Sequence, residues 1–135
     1  MNKFVCIAVG GAIGSLLRYL LSGWVQQSVQ ATAAATRPPL FPWGTLTVNV
    51  LGCLVLGALA AAFTGPLLIR EEYRVGLTIG ILGGLTTFST FELETFYLVD
   101  DKQFPLALAN VGASVGLGFL AVWAGYRLVQ WWLGL

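Results

Sequence analysis

The sequence predicts an all-α integral membrane protein with four transmembrane helices, the third of them broken. Three observations carry that prediction. Of 135 residues, 57% are hydrophobic and only 10% charged, with a mean hydropathy of +0.81. A soluble domain carries about 25% charged residues, so this inventory cannot cover a water-exposed surface. The charges also punctuate the chain, leaving four uncharged or nearly uncharged stretches of the roughly 20 residues that a bilayer crossing needs. Inside one of these stretches stands Gly83-Gly84-Leu85-Thr86-Thr87-Phe88-Ser89-Thr90-Phe91. Lipid offers the backbone no hydrogen-bond partners, so irregular polar sequence at depth must pack in protein or line a watery cavity.

The spans fall at about 4–25, 43–63, 75–99 and 105–129, making one four-span membrane domain of the whole chain, 1–135. The first has no small-residue cleavage site followed by a soluble mature domain, so it reads as a retained span and not a signal peptide. The longest connection, 28–42, holds Arg37-Pro38-Pro39, a helix breaker and extended turn. Gly65-Pro66 closes the second span before the charged 70–74 turn, and Asp100-Asp101-Lys102 separates the third and fourth. Trp24, Trp43, Trp131 and Trp132 lie near span ends, where amphipathic rings prefer the headgroup layer. Trp123 lies deeper and is expected to pack on another helix.

Composition excludes several functions. A net charge of +1 leaves no nucleic-acid footprint. The chain has no histidine, the commonest general base and metal ligand. Cys6 and Cys53 sit inside apolar runs, without metal or disulfide spacing, and read as small buried hydrophobes.

With four spans both termini share one side. Lys3, Arg70, Arg74 and Arg127 fall on that side; Arg37, Lys102 and, by its place in the first span, Arg18 fall on the other. Short loops orient a protein by Lys/Arg excess, and four against three is almost no bias. Two readings follow: a weakly oriented single topology, or dual insertion with assembly as an antiparallel homodimer. Gly10/Gly14, Gly76/Gly80, Gly80/Gly84 and Gly112/Gly116 are each four apart, which puts each pair on one helix face and lets backbones approach, within the chain or between chains.

Polar residues inside spans are the functional candidates. The Asn49 amide needs partners for two donors and a carbonyl, from a neighbouring helix or from an ion. Arg18 lies about 21 Å along the first helix from Phe4, placed to snorkel to the interface or to raise the potential at a pore mouth. Asn110 and Ser114 are one turn apart on the fourth span. Gly83-Gly84 makes a helix break cheap, and Thr86, Thr87, Ser89 and Thr90 can satisfy the freed backbone groups. A broken helix exposes carbonyls to a cation and amides to an anion. Phe88 and Phe91, three apart, face the same way; their positive ring edges suit a small anion, while spacing alone favours core or lipid-facing filler.

The chain resembles the CrcB/Fluc family of fluoride channels over essentially its whole length. The resemblance rests on Gly10-Gly11-Ala12-Ile13-Gly14 with Arg18-Tyr19, on Gly44-Thr45-Leu46-Thr47-Val48-Asn49 with Gly52 and Gly57, and on Gly83 through Glu92. It implies a fluoride-selective channel of the plasma (inner) membrane, conducting F⁻ passively, built as an antiparallel dual-topology homodimer with two pores. It implies that Phe88, Phe91 and Asn49 line the path, with Ser114, Thr87 and Thr90 beside it. Arg18 would sit near a vestibule, and the Gly83 and Thr86 carbonyls would hold a structural Na⁺ at the dimer interface. Glu94 is a further polar-path candidate. The fourth helix departs from the family pattern: Asn110 stands for an aromatic hydroxyl and Gly118 for a serine of some relatives. Cys53-Leu54 stand where many members have Ser-Phe.

The rival reading is a small four-span dual-topology drug/proton antiporter. It would need a carboxylate inside the first span, where Arg18 is the only charge. An enzyme is a weaker rival: Glu92 and Glu94 lie on different helix faces, and no nucleophile–base pair is visible.

Overall fold

The computed structural model describes residues 2–32, 41–64 and 69–134. They form α1 (Lys3–Thr32), α2 (Trp43–Thr64), α3 (Glu71–Val75), a π-helical run (Gly76–Leu82), α4 (Gly83–Leu85), α5 (Phe88–Asp100) and α6 (Phe104–Leu133), with no strand among the described residues. Among the described residues three helices are long and apolar enough to cross a membrane, within α1, α2 and α6. The segment expected as the third span is divided among shorter pieces. Helix α1 runs on through Ser28 to Thr32, where the sequence suggested a connection. Arg37-Pro38-Pro39 and Gly65-Pro66 lie outside the described residues.

Glycine sets the packing. A Cβ on Gly10 would meet the Gly76 carbonyl oxygen at 2.5 Å, and one on Gly84 would meet the Gly11 oxygen at 2.7 Å. One on Gly14 would collide with the Ile81 carbonyl. Helix α1 therefore crosses the π-helical run and α4 backbone against backbone. Gly57 meets Val122 and Gly125 meets Leu54 in the same way, which seats α2 along α6. Such small-residue contacts substitute for the hydrophobic drive that lipid does not supply. Three of the four glycine pairs are thus spent inside the chain. Gly112 and Gly116 have open space where a side chain would stand.

The break between α4 and α5 redirects the chain. Segments before it pack on α1; α5 packs chiefly on α6, with a smaller contact to α2. The α5–α6 turn is closed by Asp101 N–H to the Tyr97 carbonyl (2.9 Å) and Gln103 N–H to Leu98 (2.7 Å), with Lys102 at φ 59°. Pro105 then opens α6, where a missing N–H costs nothing.

The interior is small, with Val48 and Asn110 its largest fully buried side chains. Outward faces are apolar: Leu16, Leu20, Val115, Phe119 and Trp131 are exposed. Trp123, expected against another helix, is 58% exposed in this chain, since Gly125 and not Trp123 occupies the α2 contact.

Replacing Gly57 with Leu should destabilise the protein by about 3 kcal/mol, because the added side chain overpacks a backbone contact. Gly23→Ala, which meets nothing within 4 Å, should be neutral or stabilising. Thermal unfolding in detergent measures both.

Candidate functional site

The site is organised by the two extended residues between α4 and α5. Thr86 adopts φ −84°, ψ 154° and Thr87 φ −150°, ψ 117°. Thr86 N–H still donates to the Leu82 carbonyl (3.0 Å), but Thr87 has left the helical ladder, so its backbone groups need partners from elsewhere. Asn49 on α2 supplies them: its Oδ1 accepts from Thr87 N–H at 2.8 Å and its Nδ2 donates to the Thr87 carbonyl at 3.0 Å. The reciprocal pair fixes the amide's orientation and leaves one N–H without that duty.

The hydroxyls close the rest of the break. Thr86 Oγ1 donates to the Leu82 carbonyl (2.9 Å). Thr87 caps α5, its Oγ1 accepting from Thr90 N–H (3.3 Å) and donating to Thr90 Oγ1 (2.9 Å). The protons of Thr86 and Thr87 are therefore committed, and Thr90 holds the last proton of this relay. Ser114 on α6 makes no hydrogen bond among the described residues, so its hydroxyl is open to the space it faces.

That space is a cavity of about 340 Å³ lined by Asn49, Thr86, Thr87, Phe88, Phe91, Ser114 and their apolar neighbours. Among the described residues no charged side chain lines it. Phe88 and Phe91 touch, with ring centroids 5.6 Å apart and planes at 51°. They differ in setting: Phe88 is 73% exposed in this chain and Phe91 only 5%. The tilt turns one ring's edge toward its neighbour's face, the arrangement that ring quadrupoles favour.

Sequence reasoning missed two wall residues whose side chains carry a heteroatom. Cys53, read as a buried small hydrophobe, is half-buried and lines the cavity, whereas Cys6 is buried as expected. Thr78 lines it as well. The available signal was spacing: Cys53 lies one turn beyond Asn49 on α2.

Two further cavities adjoin. One of about 290 Å³ holds half-buried Arg18 with Ser22, Thr45, Thr87 and Thr90, so Thr87 stands between it and the central cavity. Another of about 410 Å³ is lined by Ser22, Gln26, Thr45, Thr90 and Glu94. There Thr45 Oγ1 donates to Glu94 Oε1 at 2.8 Å, and Glu94 Oε2 is buried with no partner. The structure therefore brings together Asn49, Phe88, Phe91, Thr87 and Ser114 in one cavity, and Arg18, Thr87 and Thr90 in the next. Asn110 stays apart: 1% exposed, it donates to Thr95 Oγ1 at 2.8 Å and serves as an interhelical tie between α6 and α5. Gly83 and Thr86 both line the central cavity. The Thr86 carbonyl, on extended backbone outside the helical ladder, suits a hard cation, which takes oxygen donors. Among the described residues no group of three His, Cys, Asp or Glu could hold a metal.

Fold and site together define a multi-pass helical membrane protein with an uncharged polar cavity beside a helix break. Residues 5–126 match the CrcB-like protein family, Camphor Resistance (CrcB), and the chain belongs to that family. A protein named fluoride-specific ion channel FluC from Geobacter sulfurreducens is 49% identical over 125 residues, covering 93% of this chain and 94% of the relative. Its namesake from Geobacter metallireducens is 48% identical over the same length. That from Rhizobium meliloti is 43% identical over 130 residues, covering 96% of this chain and 98% of the relative.

Asn49→Leu strands both Thr87 backbone groups. It should lower stability by about 2–4 kcal/mol, the cost of two unsatisfied buried groups. Asn49→Asp keeps the acceptor for Thr87 N–H but turns a second carboxylate oxygen toward the Thr87 carbonyl, so it should lower stability as well in the same detergent melt.

Proposed function

We propose that this protein is a fluoride-selective ion channel that conducts F⁻ passively through the cell membrane and lowers cytoplasmic fluoride. It is no enzyme. The observation that carries the reading is the central cavity, where one amide, one open hydroxyl and a pair of phenyl rings meet with no charge among them. The relatives named as fluoride channels supply the identity of the ion. They give no support to the antiporter alternative.

The mechanism follows from hydration. Fluoride is small and holds water tightly, so a dry path must return many hydrogen-bond donors. The second Asn49 N–H, the Ser114 hydroxyl and the terminal Thr90 proton are the available donors, and the edges of Phe88 and Phe91 add weak positive partners. No fixed cation traps the ion, and conduction requires binding weak enough to permit exit. Arg18, one cavity away past Thr87, raises the anion concentration at the entrance.

The assembly belongs to the same proposal. The chain crosses the membrane four times, with α3 through α5 together making the third crossing around the break. Two copies insert in opposite directions and form an antiparallel homodimer with two pores, surrounded by lipid. The near-balanced charges, the open Gly112/Gly116 face and the exposed Phe88 support this. At the dimer interface the Gly83 and Thr86 carbonyls of each copy hold a structural Na⁺.

Purified protein in liposomes should release fluoride, read with a fluoride electrode. Phe88→Ile and Phe91→Ile should each slow release by about tenfold, matching the roughly 1.4 kcal/mol of a good ring contact. Asn49→Asp should slow it further by charge repulsion. Normal release from all three would remove this cavity from the path. Separately, tags on either terminus should report both orientations in cells; a single orientation refutes dual topology.

A further inference from the structure

A third cavity adjoins the central one on the side away from Arg18. It has a volume of about 390 Å³ and is lined by Phe63, Glu71, Arg74, Val75 and Thr78. Thr78 lines this cavity and the central one, as Thr87 does for the central cavity and that of Arg18. The polar spaces thus form a series: the Arg18 cavity, Thr87, the ring-lined cavity, Thr78, the Arg74 cavity.

The charges around the third cavity are unevenly satisfied. Glu71 pairs with Lys3 at 2.7 Å and Glu72 with Arg70 at 3.2 Å. Both neighbouring carboxylates are thereby claimed by other cations. Arg74 has no ion pair among the described residues; its guanidinium carbon instead lies 4.8 Å from the centre of the Phe63 ring. A ring face holds the group in place without cancelling its charge, because the ring supplies a quadrupole and no net negative charge. Thr78 Oγ1 is turned back to the Arg74 carbonyl (2.8 Å), so this hydroxyl supplies no proton to the path. The anion-attracting element at this end is therefore Arg74.

We infer that Arg74, steadied on Phe63, collects anions at the second mouth of the path, as a counterpart to Arg18 at the first. The inference rests on the fluoride-channel reading and adds to it a residue that governs flux when fluoride is scarce. An uncompensated cation at a mouth enriches anions through its field, and that field is screened within about 10 Å at 0.1 M salt.

The test compares fluoride efflux from liposomes holding the full chain, at sub-saturating fluoride, in low and in molar ionic strength. Arg74→Gln should slow efflux by about threefold at low ionic strength, and the difference should vanish at molar salt. Arg74→Lys should retain most of the flux, and Arg127→Gln, a charge removed away from the cavities, should behave as wild type. Phe63→Leu keeps the charge but frees the guanidinium, and should show a smaller loss with the same salt dependence. If wild-type protein carries no fluoride, the channel reading fails. If wild type conducts while Arg74→Gln matches it at low ionic strength, or is equally slow at both strengths and not rescued by Arg74→Lys, the role of Arg74 is overturned and the channel reading stands. Should Arg74→Gln not fold, an unaltered rate in Phe63→Leu at every ionic strength overturns it likewise.

Discussion

Asn49 and the backbone of Thr87 exchange two hydrogen bonds, and the rest of the site is arranged around that exchange. A helix interrupted in an apolar surrounding must find partners for each group it releases, since an unsatisfied backbone group there costs several kcal/mol. One carboxamide meets the need of one whole residue because it has both a donor and an acceptor at the spacing of a peptide group. With Thr87 pinned, its side chain can cap α5, and the cap aims Phe88 and Phe91 at the cavity wall. The ring pair thus owes its place to an amide on a different helix.

The same constraint explains how the polar residues divide their work. Four hydroxyls stand at the break, but those of Thr86 and Thr87 spend their protons on the backbone carbonyl of Leu82 and on Thr90. The donors left over are the second Asn49 N–H, the Ser114 hydroxyl and the Thr90 proton. A site built this way offers several modest donors and no fixed charge, which fits a passage for a small anion better than a place for it to stay. Charge is kept to the adjoining cavities, at Arg18 and, in the inference above, at Arg74.

Backbone-close packing makes the arrangement possible in so short a chain. Helix α1 lies against the π-helical run and α4 through Gly10, Gly14, Gly80 and Gly84, and α2 lies against α6 through Gly57 and Gly125. These two pairings hold the halves of the broken segment on different partners: α3 and α4 on α1, α5 chiefly on α6. The break is where the chain passes from one pairing to the other.

Sequence alone determined the helical membrane class, because a chain with 10% charged residues has no water-facing surface to build; it placed a break at Gly83–Thr86 through the glycine pair and the hydroxyls, whereas the structure keeps Gly83–Leu85 helical and leaves Thr86 and Thr87 extended. Motif resemblance named the ring pair, Asn49 and Ser114, which spacing would have left as filler and helix ties. Tertiary structure decided which partners those side chains have. Asn49 binds Thr87 across 38 residues of chain, Asn110 is tied to Thr95 and excluded from the cavity, and Cys53 and Thr78 join the wall. It also decided that Gly112 and Gly116 face away from the chain's own helices while the other glycine pairs are buried between them. The reason is common to all of these. Periodicity reports which residues share a face of one helix, but which faces meet depends on helix crossings and on the turn of the chain at the break, and those are properties of the assembled packing.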